Sequence, residues 1–218
     1  MSDFAKRRAA AAATAENNPA YQERVKEIRR AAGKVFHERG FRGTKVQDIA
    51  AATGVDRATL YYYIGSKEEL FREAVSEAVS ANIAAAEAIA RQDLGAADKL
   101  ARMIQTLMAS YEEFYPYLYV FMQEDVDKLE SGKFADQDWI KTVKDWNYRY
   151  FKLVRTTISD GIADGTFRTP LPPGVVANCV IGMLNSSHQW FRPGGLLDAD
   201  EIGEGISQLI LAGISPSP

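Results

Sequence analysis

The stretch Thr44–Leu70, TKVQDIAAATGVDRATLYYYIGSKEEL, reads as three short helices joined by tight turns. Thr44 is a good N-cap, because its hydroxyl can accept from a free backbone N–H of the first turn. Gln47, three residues on, completes a capping box. Val46, Ile49 and Ala50 share one face at spacings of three and four, so they are expected to be buried in a helix ending near Thr53. Gly54 supplies the left-handed residue that ends a helix without steric cost, and Val55 packs inward. Asp56 caps the next helix, Arg57 to about Tyr62. There Leu60 and Ile64 point one way, and Arg57, Ala58, Tyr61 and Tyr62 roughly the other. Gly65 breaks the chain, and Ser66 caps a third helix with Glu69 closing a second capping box.

Two helices joined by a turn containing Gly follow the helix-turn-helix plan, in which the second helix enters the major groove of DNA. Arg57 can fork onto guanine, and Ala58 and the Thr59 methyl are small enough to approach a thymine methyl. The hydroxyls of Tyr61, Tyr62 and Tyr63 suit phosphate oxygens, as does Lys67 in the first turn of the following helix. Gln47 can reach a base or a phosphate. Such an outline also occurs in ordinary helical bundles, and adjacent tyrosines are usually half-buried packing residues; Tyr63 is expected to serve the core in part.

The pattern T-x-x-x-I-A-x-x-x-G-V-x-x-x-T-L-Y-Y-Y-x-x-S-K-E-E-L-F, from Thr44 through Ile49, Gly54, Thr59 and Ser66 to Phe71, resembles the signature of the TetR family of bacterial repressors. In that family the DNA-contacting positions correspond to Gln47, Arg57, Ala58, Thr59, Tyr61, Tyr62, Tyr63 and Lys67. With Thr44 and Lys45 they make up the expected DNA-binding set. Ile64 stands where the family often has Phe, a core exchange. Asp56 stands where Ser is commoner; it caps equally well but brings a negative charge near the DNA.

The chain has 218 residues, is 46% hydrophobic and carries a net charge of −3. It can bury a sizeable core, and as a whole it is not a basic nucleic-acid binder. The average hides an asymmetry. Residues 1–72 hold 14 Lys and Arg against 9 Asp and Glu, a balance of +5; the remainder holds 12 against 20, a balance of −8. A basic head on an acidic body fits a DNA reader with a separate function behind it. No apolar run approaches the roughly 20 residues of a membrane span, so no membrane is expected. The alanines after Lys6, Arg7 and Arg8 are too weakly hydrophobic for a signal peptide. One cysteine, Cys179, excludes an internal disulfide framework and suits a reducing cytoplasm.

The expected organisation is all-α: a flexible N-terminal arm over 1–17, a three-helix DNA-binding head over 18–72 (its helix-turn-helix at about 45–64), and a larger helical-bundle body for ligand binding and dimerisation over 73–218. The arm's Lys6, Arg7 and Arg8 can track phosphates or enter the minor groove, or simply form a solvated tail. Asn18 and Pro19 start a helix to about Arg39 with Val25, Ile28, Ala32, Val35 and Phe36 as its apolar stripe. Gly40 ends it and Phe41 tucks back. From Ser66 a long connector runs to about Leu94. Further helices follow at Ala96–Tyr115 (ended by Pro116), Tyr117 to about Leu129, Asp136–Ala163, Val175–Phe191 and Asp198 to about Ile214. Loops at Glu130–Lys133, Pro170–Gly174 and Arg192–Gly195 separate the later ones. No strand pattern or fixed-period repeat is present.

Helix bundles place ligand pockets between facing helices, lined by apolar groups with a few polar ones. Tyr115, Tyr119, Met122, Trp146, Tyr150, Asn185 and His188 are the candidate lining residues; core packing is the other use of each. The family resemblance implies that the body takes a small hydrophobic effector. It also implies a homodimer, which DNA with successive major grooves about 34–36 Å apart requires. Val176, Val180, Met183, Leu184, Ile202, Ile206, Leu209 and Ile210 on the last two helices are the candidate dimer interface, with Gly182, Ser186, Ser187, Gly203 and Gly205 allowing close approach. Packing inside one protomer is the alternative use of this set. The tail NSSHQWFRPGG…EIGEGISQLILAGI looks similar to repressors of fatty-acid and steroid breakdown that sense acyl-CoA thioesters. Arg149, Lys152 and Arg155 could then meet a CoA phosphate, although a basic helix face is usually just solvated.

The expected mechanism is a homodimeric repressor on a palindromic operator. Ligand in the body tilts the connector from Ser66 and changes the separation of the two recognition helices. A helical protein that uses its head only for protein contacts is the alternative. An enzyme is the other rival. Cys179 and His188 lie nine residues apart, about 900° around one helix and on opposite faces. The two His and one Cys are too scattered for a typical zinc site, and no phosphate loop, G-x-S-x-G or H-E-x-x-H is present. No catalytic residue, metal or cofactor is expected.

Overall fold

A computed structural model of the chain describes residues 18–123 and 137–215. The expected arm with Lys6, Arg7 and Arg8, the expected end of the sixth helix and the loop at Glu130–Lys133 lie outside these. Among the described residues every regular element is helical. In chain order they are α1 (Pro19–Gly43), α2 (Val46–Thr53), α3 (Arg57–Ile64), α4 (Lys67–Ala90), α5 (Ala96–Glu113), α6 (Tyr117–Gln123), α7 (Gln137–Ala163), α8 (Pro173–Asn185), a 3-10 turn (Ser186–Gln189) and α9 (Ala199–Ile214).

The head forms as its caps dictate. Asn18 Oδ1 accepts from the backbone N–H of Ala20 at 3.0 Å, and Pro19 needs no partner at the first helical position. Gly40 takes φ 70°, which kinks α1 and turns Phe41 back between Phe36 and Phe71, at ring separations of 5.1 and 4.7 Å. Gly54, at φ 67°, ends α2 as read. Asp56 Oδ1 accepts from Ala58 N and Thr59 N at 2.8 and 2.9 Å, and Ser66 Oγ accepts from Glu69 N at 3.0 Å.

Thr44 behaves differently from the sequence reading. It is 2% exposed, and its hydroxyl donates to the Gly40 carbonyl at 2.8 Å, because the kink at Gly40 frees that oxygen. The residue before α2 is therefore Lys45. Asp48, three residues after it, closes the turn by accepting from Lys45 N at 2.7 Å, in place of the expected Thr44–Gln47 box.

Two buried clusters organise the rest. The front one joins Ile28, Phe36, Phe41, Ile49, Leu60, Ile64 and Phe71 of the head and α4 to Tyr117, Val120 and Phe121 of α6 and Trp139, Ile140 and Val143 of α7. The rear one wraps α5 with α7, α8 and α9, through Leu100, Met103, Ile104, Met108, Val154, Ile158, Val180, Leu184 and Ile206.

The rear cluster takes up, within one protomer, much of the set expected at a dimer contact. Val176, Val180, Leu184, Ile206 and Ile210 are 5, 2, 0, 7 and 8% exposed within one protomer, and Ile202 is partly buried against the same core. Gly203 likewise serves α5: a Cβ there would lie 3.1 Å from Gln105 Cα. These residues are interior packing, the alternative weighed above. Met183 and Leu209 remain outside, 43 and 71% exposed.

Candidate DNA-reading head and effector cavity

On α3, Leu60 and Ile64 are buried, 0 and 1% exposed, which fixes the helix against the head core and turns its opposite face outward. Arg57 and Ala58 are exposed, Tyr62 is 42% exposed, and Thr59 and Tyr61 are half-buried. The Arg57 guanidinium donates to the Tyr61 hydroxyl at 3.0 Å and lies 5.3 Å from its ring, so the two form one preassembled unit. Lys45 and Gln47 are exposed on the preceding segment. Tyr63 packs on Tyr21 at 5.2 Å and against the front cluster, serving the core.

Two residues of the expected set face elsewhere. Thr44 is buried with its hydroxyl committed to Gly40. Lys67 donates its ammonium to the Phe41 and Thr44 carbonyls at 3.0 and 2.7 Å and sits 4.4 Å over the Phe41 ring. Asp56 is ionised across the working range. The Thr59 hydroxyl, donating at 2.6 Å, and then the Thr59 N–H hold its carboxyl below the usual value of 3.8.

Behind the head, α4, α5, α6, α7 and α8 enclose a cavity of about 590 Å³. Of the expected lining residues, Met122, Trp146, Tyr150, Asn185 and His188 stand on its wall. Tyr115 and Tyr119 do not; they border a narrow gap beside it, together with Met122 and His188. The sequence reading missed Val79, Asn82 and Ile83 of α4, because that helix was read only as a connector. A signal for Asn82 existed: it interrupts the apolar run of Val75, Ala78, Ala86 and Ile89 on one face.

Among the described residues the wall carries amides, hydroxyls and His188 among aromatics, with no Lys, Arg, Asp or Glu. Tyr111 donates to Asn185 Oδ1 at 3.0 Å and Tyr150 to the Met103 carbonyl at 3.3 Å; burial pushes both phenols well up from their usual 10.0. Arg149 and Lys152 lie apart, in a second recess of about 340 Å³ with Lys99, Glu87 and Asp160. Arg149 is paired with Glu87 across it, and the exposed Arg155 is not among its lining.

Cavity and head are joined through the corner that begins α6. The Tyr117 hydroxyl donates to the Arg29 carbonyl of α1 at 2.6 Å, and Tyr115 shares a hydrogen bond with His37 Nε2 at 2.8 Å. Tyr119 lies between His37, tilted at 5.0 Å, and His188, edge-on at 6.0 Å, with Arg192 over its ring. The two histidines thus serve one aromatic junction, and neither meets Cys179, which is exposed on α8. Among the described residues no group of His, Cys, Asp and Glu could hold a metal, and no helix is long and apolar enough to cross a membrane.

Two family models match the chain. Residues 28–74 match the sequence model described as bacterial regulatory proteins, tetR family, and residues 93–214 match the tetracyclin repressor-like C-terminal domain. The HTH-type transcriptional repressor KstR2 of Mycobacterium tuberculosis is 30% identical over 190 residues, 87% of this chain and 92% of the relative. The solved structure of ketosteroid transcriptional regulator KstR2 of Mycobacterium tuberculosis superposes with a TM-score of 0.80 at 26% identity, covering 89% of this chain and 96% of that one. AibR, solved in complex with isovaleryl coenzyme A and operator DNA, shares the fold at a TM-score of 0.66 and 20% identity, over 85% of this chain and 97% of that one.

Proposed function

Because the chain belongs to the TetR family of bacterial transcriptional regulators and is no enzyme, we propose that it is a homodimeric repressor whose palindromic operator is released by a small, largely apolar effector. The observation that carries this reading is the position of the cavity. Its walls include α4, which starts at the head, and α6, whose first turn grips α1. An effector that fits the cavity better in one arrangement of α4 and α6 shifts the head by its differential affinity for the two states. Arg57, Ala58, Thr59, Tyr61 and Tyr62 form the reading face, with Lys45 and Gln47 beside it. The partner protomer meets the outer side of α8 and α9, where Val175, Met183 and Leu209 are 43, 43 and 71% exposed.

The effector carries a carbonyl on an apolar skeleton. The name of the KstR2 structure points to a ring ketone, and the AibR complex to an acyl thioester. In the second case the recess at Arg149 and Lys152 is the place for a CoA phosphate. Selection of operators from a random duplex library, followed by titration with a ketosteroid, an acyl-CoA and free CoA, tests the whole reading. A selected palindrome released by one of the carbonyl compounds is expected. Failure to enrich any sequence would remove the DNA-reading assignment of α3. Binding of acyl-CoA that Arg149→Ala and Lys152→Ala leave unchanged would remove the phosphate site.

A further inference from the structure

Asn82 stands midway along α4, flanked on the buried side by Ala78, Ile83 and Ala86. It is 9% exposed and lies on the cavity wall, and its amide makes no hydrogen bond among the described residues. The amide is left to solvent at the cavity wall, so an apolar side chain of the same shape would cost the fold little there. Tyr111 is engaged with Asn185, Tyr150 with Met103, and His188 Nδ1 with the Asn185 carbonyl at 2.6 Å; the other amides of the wall, Asn147 and Asn178, are exposed, whereas Asn82 is set among apolar side chains. An amide beside an aromatic space can turn its N–H donors to a neutral acceptor. A carboxylate there would meet no Lys or Arg among the described residues.

The place of Asn82 in the fold adds a second consequence. The same uninterrupted helix begins at Lys67, whose ammonium closes the end of α1. At 1.5 Å per residue the two side chains are about 22 Å apart along one rigid rod. A bond made at Asn82 therefore acts directly on the element that supports the head.

We propose that Asn82 is the effector-reading residue: its side-chain amide donates to the carbonyl oxygen of the bound effector, and that bond sets the position of α4 beneath the head. This rests on the reading above that an effector occupies the cavity. The carbonyl can belong to a ring ketone or to a thioester, and the two are separated by the probe.

The test uses the full chain, its selected operator, and the variants Asn82→Leu and Asn82→Asp, both close to Asn in size. Progesterone serves as the ring-ketone probe and isovaleryl-CoA as the thioester probe, each titrated by calorimetry and by operator release. The native chain is expected to bind one of them. Both variants then bind that probe roughly tenfold or more weakly, the loss of one good hydrogen bond, and stay on the operator at a concentration that frees the native chain. Without probe, Asn82→Leu melts no lower than the native chain. Native-like probe binding and release in both variants would overturn the role of Asn82 and leave the effector reading standing. A fall of several degrees in the Tm of Asn82→Leu would overturn it too, by making Asn82 a structural residue. If the native chain binds neither probe, the carbonyl effector falls and the role of Asn82 falls with it.

Discussion

Lys67 illustrates how a single side chain changes meaning between sequence and structure. Its type and place suit a phosphate, yet its ammonium lies against the Phe41 and Thr44 carbonyls and the Phe41 ring. Lys67→Met is therefore expected to lower stability by about 1.5–3 kcal/mol, the range for hydrogen bonds to a charged group. It should change the salt dependence of operator binding by less than one phosphate contact. Thermal melting and binding at several salt concentrations check the two halves. Asp56 was legible from sequence, because a cap acts on the two or three residues that follow it. The structure adds that Thr59 gives its only hydroxyl proton to Asp56; on the proposed reading its methyl and lone pairs are what it offers the DNA. Asp56→Asn should keep the cap and bind the operator more tightly, most clearly at low salt, since it removes a negative charge near phosphates. Thr44 and Lys67 were not legible, since their partners are set by the kink at Gly40 and by the packing of α4 under α1.

The helices themselves were legible, with ends near their observed places, because Gly, Pro and capping residues mark them locally. Their pairings were not. On α8 the buried Val176, Val180 and Leu184 alternate with the exposed Val175, Cys179 and Met183. Periodicity alone cannot say which set faces the same protomer. The contact between α1 and α6 was likewise invisible, though it carries the tie between cavity and head. Gly33 is its closest point: a Cβ there would come 2.9 Å from Pro116 Cδ and 3.0 Å from Tyr117 Cε2. Gly33→Ala is expected to cost about 1–3 kcal/mol by overpacking and to loosen the response to effector. A lower Tm, together with operator binding that effector no longer reverses fully, would bear this out. An unchanged melting curve would show that α1 and α6 part easily.

Across the whole molecule, the outer faces of α8 and α9 and the buried tyrosines make two further expectations. Leu209→Glu places a charge on the exposed side of α9 and is expected to give monomers by sedimentation. Operator affinity should fall on the order of 100-fold or more, because two linked heads bind far better than one. Burial pushes Tyr111, Tyr117 and Tyr150 above the usual 10.0. Their neutral forms are favoured in the folded chain, so this contribution is fully present below about pH 10 and is lost as pH rises beyond it, where only the unfolded chain ionises freely. Urea midpoints should therefore fall above pH 10, with tyrosinate absorbance rising in step with unfolding. The front cluster bears on a different question, the exchange of parts. Phe36, Phe41 and Phe71 share their buried space with Tyr117, Val120, Phe121 and Trp139, so the core of the DNA-reading end runs on into α6 and α7 and cannot be lifted out alone. A graft of residues 18–72 onto a relative's body would succeed only if the recipient's α6 and the start of its α7 present a matching surface. On the proposed reading, operator specificity is tuned at the exposed side chains Arg57, Ala58 and Tyr62 of α3, while transplantation of a whole head must bring α6 with it.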